Sequence, residues 1–286
     1  NKGLMKNNTG LDFRHLFIGS EGILGFITEA TLKLTAPPKD PTVLVLGLSD
    51  MSAIMAVLDR IQSTTPLLAY EFFSELAVSK VVDHAGVARP FETRTPFYAL
   101  VEFERENDMT DAHVFEAVEQ CMEEGWVIDA VMSQSVAQAS ALWRLREDIS
   151  ETISRWTPYK NDISSTVSKV PELLAAVDDV VHENYPDWEV VWYGHIGDGN
   201  LHLNILKPEN LQIEEFKARC NEVSTDIFDA IKRLGGSVSA EHGVGTLKAP
   251  YLGYSKSDSE IDAMRAIKAI FDPDGILNPG KVFSIA

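Results

Sequence analysis

The apolar positions of this chain fall in short runs separated by amphipathic stretches, and their spacing predicts strands alternating with helices. TVLVLGLS at 42–49, PLLAYEF at 66–72, PFYALVEFE at 96–104 and VIDAVMS at 127–133 have strand length and are rich in β-branched or aromatic residues. Helical periodicity predicts helices over 51–63, 73–83 and 110–124, then over 135–156 and 171–184. Two more strands, WEVVWYG at 188–194 and NLHLNIL at 200–206, flank the turn-prone HIGDG. An amphipathic helix at 212–234 stops at Gly235-Gly236, and another at 257–271 stops at Asp272-Pro273. Near the start, alternation in Thr28–Leu34 predicts a strand ended by Pro37-Pro38, with a boundary close to residue 37. The order of elements predicts an α+β fold, an antiparallel sheet covered on one side by helices.

Composition narrows what such a fold does. The 286 residues carry a net charge of −18, which disfavours phosphate backbones, so no nucleic-acid partner is expected. No apolar run is long enough to span a membrane. The opening NKGLMKNNTG has neither a starting Met nor a signal segment, and reads as part of a fragment or processed product that is not secreted. Cys121 and Cys220 lie in separate predicted helices with no metal-ligand or redox spacing, and are expected to be buried thiols. No glycine loop of dinucleotide type joins a strand to a helix, and no P-loop, GxSxG or HExxH motif occurs.

Three stretches carry candidate chemistry. In GHIGDGNLHLN a turn can fold His195 and His202 toward one point, and the two-residue period puts His202 and Asn204 on one strand face. A metal and substrate would satisfy them, and so would backbone hydrogen bonds in a core; the spacing leaves both open. In AEHGVGT, Glu241 could complete a His/His/Glu metal set, leaving His242 as a base, or the stretch could be a solvated loop. In LWRLREDISETISRWTPYK, Trp143, Arg146 and Ser150 share a helix face, and Arg suits bidentate carboxylate recognition. A solvated helix with Arg146 paired to a neighbouring Glu or to Ser150 is the alternative.

Residues 6–31 (KNNTGLDFRHLFIGSEGILGFITEAT), 194–204, 240–246 and 276–283 (ILNPGKVF) together resemble motifs of a flavoenzyme family, in that family's order. The chain is similar to the C-terminal portion of the vanillyl-alcohol-oxidase-like superfamily. The nearest branch holds D-2-hydroxyglutarate dehydrogenases, D-lactate dehydrogenases and glycolate oxidase subunits. The resemblance implies a ferredoxin-like substrate or cap domain at 37–271. It places the end of an FAD-binding domain at 1–36, and at 272–286 a tail that returns to the flavin. It implies FAD and a divalent metal, usually taken as zinc, held by His195, His202 and Glu241. His242 would be the catalytic base and a substrate contact, alongside Arg146, Ser150, Lys160 and Asn204. Ser150 stands where the branch commonly has Thr. Cofactor contacts would come from Asn8, Thr9, Gly10, Gly19, Ser20, Glu21, Gly22, Gly25 and Asn278. The implied reaction oxidises a D-2-hydroxy acid, D-2-hydroxyglutarate ahead of D-lactate or glycolate, to the 2-oxo acid. Its electrons would go to a protein or quinone acceptor. A homodimer and a bacterial cytoplasmic or mitochondrial matrix setting are compatible with the branch. The contrasting expectation is a metal-binding or regulatory module without redox activity of its own.

Overall fold

The computed structural model describes residues 4, 6, 7, 9–105 and 108–283. They divide into two compact units: Pro38–Gly236, and a second made of Asn1–Pro37 with Ser237–Ala286. Residues 237–271, grouped with the cap in the sequence reading, thus cluster with the N-terminal segment.

The larger unit is a seven-stranded sheet. Its strands are β1 (Pro41–Leu48), β2 (Leu67–Ser74), β3 (Phe97–Glu104), β4 (Val127–Met132), β5 (Tyr159–Ser164), β6 (Val190–Gly194) and β7 (Asn200–Ile205). They lie in the order β4-β1-β3-β2-β6-β7-β5, with antiparallel pairs throughout. The first four keep the ferredoxin-like order, and the last three extend the sheet beyond β2. The unit's helices are α2 (Met51–Gln62), α3 (Glu75–Ala85), α4 (Asp108–Glu123), α5 (Val136–Glu147), α6 (Ile149–Ile153), α7 (Val170–Asn184) and α8 (Ile213–Leu234). The smaller unit holds α1 (Arg14–Phe17) and α9 (Asp258–Phe271).

Helices cover both faces of the sheet, where one covered face was expected. Val43, Val45, Phe73, Tyr98 and Leu100 form a core with Ala77, Val78 and Val81 of α3, Leu145 of α5, and Ile149 and Ile153 of α6. The alternate residues Leu44, Leu46 and Leu48 are equally buried, and α2 packs on that opposite face. A sheet buried on both sides explains why β1 reads as a continuous apolar run, without strict alternation.

Local chemistry sets the boundaries. Asp50 caps α2, its Oδ1 accepting from the backbone N–H groups of Ser52 (2.8 Å) and Ala53 (3.1 Å). Gly235 ends α8 in the left-handed region. The helix expected over 135–156 is broken at Asp148 into α5, α6 and a 3₁₀ turn at Ser154–Trp156. Ser150 therefore sits on α6 while Trp143 and Arg146 sit on α5. Cys121 and Cys220 are both buried, and burial pushes their thiols up, Cys220 to about 11.

The smaller unit packs around Ile23, Leu24, Leu252, Val282 and Phe283, with Phe17 edge-on to Phe271 at 5.2 Å. Lys268 ties its two segments together, donating to the carbonyls of Ile23 and Leu277 (both 2.9 Å) and pairing with Asp272. No strand forms at Thr28–Leu34. Its apolar side chains face solvent, Leu32 and Leu34 at 78% and 87% exposed. Alternation alone does not make a strand without a hydrogen-bonding neighbour.

Candidate functional site

The chemistry-bearing residues of the larger unit gather where β5, β6 and β7 meet. β6 passes into β7 through a 3₁₀ turn at Ile196–Asp198, and Gly199 closes it at φ +79°. A Cβ at Gly199 would stand 2.1 Å from the carbonyl oxygen of Ser165, so both the backbone conformation and the space require glycine. The register then aligns Tyr193 with His202, His202 with Asp162, and Asn204 with Lys160. By the two-residue period these five side chains share a face. Leu201 and Leu203 turn to the other, as the sequence predicted.

The two histidines converge. Their rings meet edge to face with centroids 5.8 Å apart, and Tyr193 lies 4.9 Å from His202. His202 Nδ1 stands 3.6 Å from Asp162 Oδ1, which accepts from Asn200 Nδ2 at 2.9 Å. His195 Nδ1 lies 2.7 Å from Glu71 Oε1, and the other oxygen of Glu71 accepts from Arg146 Nε at 2.8 Å. Arg146 Nη2 reaches His195 Nε2 at 3.4 Å, and its guanidinium lies 4.7 Å over the Tyr193 ring. Burial pushes the Tyr193 phenol up, opposed by Ser150, Arg146 and Asn204 around it. Lys160 Nζ donates to Ser150 Oγ at 3.2 Å. Asn204 is 1% exposed, the Tyr193 phenol stands beside its amide, and neither amide atom makes a hydrogen bond of ordinary geometry among the described residues.

Arg146, Ser150, Lys160, His195, His202 and Asn204 are thus brought into one neighbourhood. Arg146 does pair with a Glu, but with Glu71, across 75 residues of sequence. Glu71, Asp162 and Tyr193 were missed. Glu71 had a signal: it is the lone charge inside LLAYEFFS, where a buried carboxylate needs partners.

Glu241 and His242 belong to the smaller unit, on an exposed loop. The loop is braced from within that unit. Glu21 accepts from the backbone N–H groups of Val244 and Gly245, both at 2.7 Å, and Gly243 lies at φ +74° against it. A Cβ there would come 2.8 Å from Glu21 Oε1. The side chain of Asn278 donates to the Glu21 carbonyl. Val282 N–H donates to Gly245 O at 3.0 Å, so the ILNPGKVF tail lines the same loop. Both oxygens of Glu21, one of the expected cofactor residues, are therefore engaged in holding AEHGVGT. Ser20 Oγ donates to Phe17 O at 2.9 Å. Gly10 and Gly19 have open space beside them at positive φ, Gly22 faces Asn278, and Gly25 faces Phe17. Thr9 is an exposed turn residue, and Asn8 lies outside the described residues.

Comparison with known proteins bears on what these groups do. A family described as FAD linked oxidases, C-terminal domain, matches residues 37–282. A D-2-hydroxyglutarate dehydrogenase of Stutzerimonas stutzeri (strain A1501) is 55% identical over 284 residues, covering 99% of this chain and 61% of its own length. One of Xanthomonas citri pv. viticola is 47% identical over 283 residues, covering 99% and 60%. A putative mitochondrial D-lactate dehydrogenase of Schizosaccharomyces pombe is 35% identical over 292 residues, covering 97% and 54%. The chain spans less than two thirds of each of these relatives. The solved structure of p-cresol methylhydroxylase with substrate bound is similar at a TM-score of 0.60 and 14% identity, covering 86% of this chain and 53% of that one. Alkyldihydroxyacetonephosphate synthase follows at 0.58 and 16%, covering 96% and 50%. At such identities the likeness is one of fold. No helix among the described residues is long and apolar enough to cross a membrane.

Proposed function

The chain belongs to the FAD linked oxidases, C-terminal domain family, and from that membership we propose that it is the substrate- and metal-holding part of an FAD-linked D-2-hydroxy-acid dehydrogenase. The observation that carries this reading is the buried polar face of β5–β7, where His202, Asn204 and Asp162 stand at core depth beside His195, Arg146 and Lys160. Buried polar groups are costly unless hydrogen-bonded, and of these the Asn204 amide has no hydrogen-bond partner among the described residues, which supports a ligand there.

The donor types fit a divalent metal such as zinc. His195 and His202 supply converging imidazoles, Glu241 is the proposed third ligand, and His/His/Glu sets leave a coordination position open. The smaller unit fits one wall of a flavin site. Its turns at Gly10, Gly19 and Gly22 and the tail at Asn278 are assigned to that wall, with Thr9, Ser20 and Gly25 beside them, and Glu21 is assigned to bracing. When bound, the ion supplies Lewis acidity toward substrate oxygens and the flavin supplies the two-electron acceptor.

The chain's own residues do the rest. Lys160 offers its ammonium to a substrate carboxylate, with Ser150 Oγ positioning the nitrogen. Arg146 offers the N–H groups that Glu71 does not take. The Asn204 amide, unsatisfied in the core, donates to or accepts from substrate. His242 removes the hydroxyl proton at an imidazole nitrogen, a role worth about 10²–10⁴-fold in rate. Two cations suit a dicarboxylate, so D-2-hydroxyglutarate is favoured over D-lactate. The named relatives, bacterial and mitochondrial, act on these same two acids by name.

This chain alone is expected to bind FAD poorly and to be inactive; full-length protein loaded with flavin should oxidise D-2-hydroxyglutarate with an artificial acceptor, and His242→Gln should lower kcat/KM by about 10²-fold or more. Lys160→Met should reduce kcat/KM for D-2-hydroxyglutarate more than for D-lactate. Full-length protein that binds no flavin, or is inert toward both acids when loaded, would favour a metal-binding module without redox activity.

A further inference from the structure

We propose that Glu71 is a positioning residue for the metal site: it fixes His195 in the ligand-competent tautomer and cancels the Arg146 charge beside the ligating nitrogen. The inference rests on the reading of His195 as a metal ligand.

Two of the contacts His195 makes constrain where its proton sits. A carboxylate only accepts, so the 2.7 Å contact between Glu71 Oε1 and His195 requires a proton on Nδ1. A guanidinium only donates, so the 3.4 Å approach of Arg146 Nη2 requires a lone pair on Nε2. The two contacts, made on opposite sides of the ring, select the same tautomer. That tautomer presents Nε2 to a cation, and a carboxylate behind the other nitrogen raises its basicity.

Arg146 also creates a difficulty that Glu71 resolves. A guanidinium this close to Nε2 repels any cation that binds there. Glu71 pairs with that guanidinium through Oε2 while holding the ring through Oε1, so one carboxylate serves both. Its place on β2 makes this a rigid arrangement. Glu71 is 4% exposed, and it sits one residue past the paired positions Phe72 and Gly194, level with His195. The helix residue Arg146 and the turn residue His195 are thereby referred to the central sheet.

Two measurements test this on the whole chain. Long-range ¹⁵N–¹H correlation of the metal-free protein should show His195 as the Nδ1–H tautomer; the Nε2–H tautomer would overturn the proposal. Zinc affinity, read by competition with a chromophoric chelator, should fall about ten- to hundredfold in Glu71→Gln, the scale of a lost outer-shell partner. Adding Arg146→Gln should restore part of it, because the uncompensated cation is gone. A double variant as weak as Glu71→Gln would overturn the charge argument. If Glu71→Gln fails to fold, the charge-balanced double variant carries the test, and affinity above that of His202→Ala is then expected. Wild-type affinity in Glu71→Gln alongside a large loss in His202→Ala would overturn the proposal and leave the metal reading standing. Unchanged affinity in His202→Ala would sink the metal reading itself, and this proposal with it.

Discussion

At the β1–β3 end of the sheet the buried positions are almost entirely hydrocarbon: Val43, Leu44, Val45 and Leu46 on one strand, Ala99, Leu100, Val101 and Phe103 on its neighbour. At the β7–β5 end, equally buried positions hold Asn161, Asp162, Asn200, His202 and Asn204. Both ends are antiparallel, and both contribute side chains to helix-covered faces. What differs is the source of stability. The first end gains from excluding water from apolar surface, while the second spends some of that gain on burying polar groups, the Asn204 amide among them. The first end therefore acts as the scaffold on which the second is held rigid.

The sharpest way to break this contrast is to damage the scaffold. Phe103 is fully buried, and Phe103→Ala should cost about 3–5 kcal/mol of unfolding free energy, read by urea denaturation. Zinc affinity of the fraction that stays folded should be unchanged. A large affinity loss at unaltered stability would mean that the two ends are not separable in this way.

Legibility in the sequence follows the same division. The scaffold strands were readable because their residues are apolar and the runs are bounded by turn signals. Strand β5 was not, because YKNDIS buries Asn161, Asp162 and Ile163 in succession and so lacks the hydrophobic period that marks a strand. The feature that makes β5 part of the site is the one that hid it. Glu71 was visible as an oddity in an apolar run, but its partners His195 and Arg146 lie 124 and 75 residues away, and only the strand order joins them. The histidines and Asn204 were legible because a short turn and a single strand set their relation locally. The alternation at Thr28–Leu34 misled for the opposite reason: the pattern was present, and no strand among the described residues pairs with it.

Replacing such a buried polar group should have the reverse sign to Phe103→Ala. Asn204 is buried with its amide unpartnered, a state that costs about 1–3 kcal/mol. Asn204→Leu, which keeps the branching and the heavy-atom count, should leave stability unchanged or raise it by up to about 2 kcal/mol, while binding of D-2-hydroxyglutarate, read by calorimetry, is lost. A clear destabilisation would show that the amide is satisfied in the free protein and that the site is structural.

Asp50 supplies the smallest effect and the matching control, since it is a related side chain whose bonds are made. Its Oδ1 accepts from Ser52 N–H, Ser52 Oγ–H and Ala53 N–H at the start of α2. The Ser52 hydroxyl bond, with the two backbone N–H groups, holds its carboxyl below the ordinary aspartate value. A folded-state pKa below the unfolded one means that the charged cap adds stability above the unfolded value. That stability is lost as pH falls through the folded value. Asp50→Ala should therefore cost about 0.5–2 kcal/mol near neutral pH, with the gap to wild type narrowing under acid. Asp50→Asn, which keeps a capping oxygen but no charge, should recover most of the loss and show less dependence on pH. A loss in Asp50→Ala that persists undiminished into acid would remove the charged cap from the account, and with it the contrast between satisfied and unsatisfied polar groups.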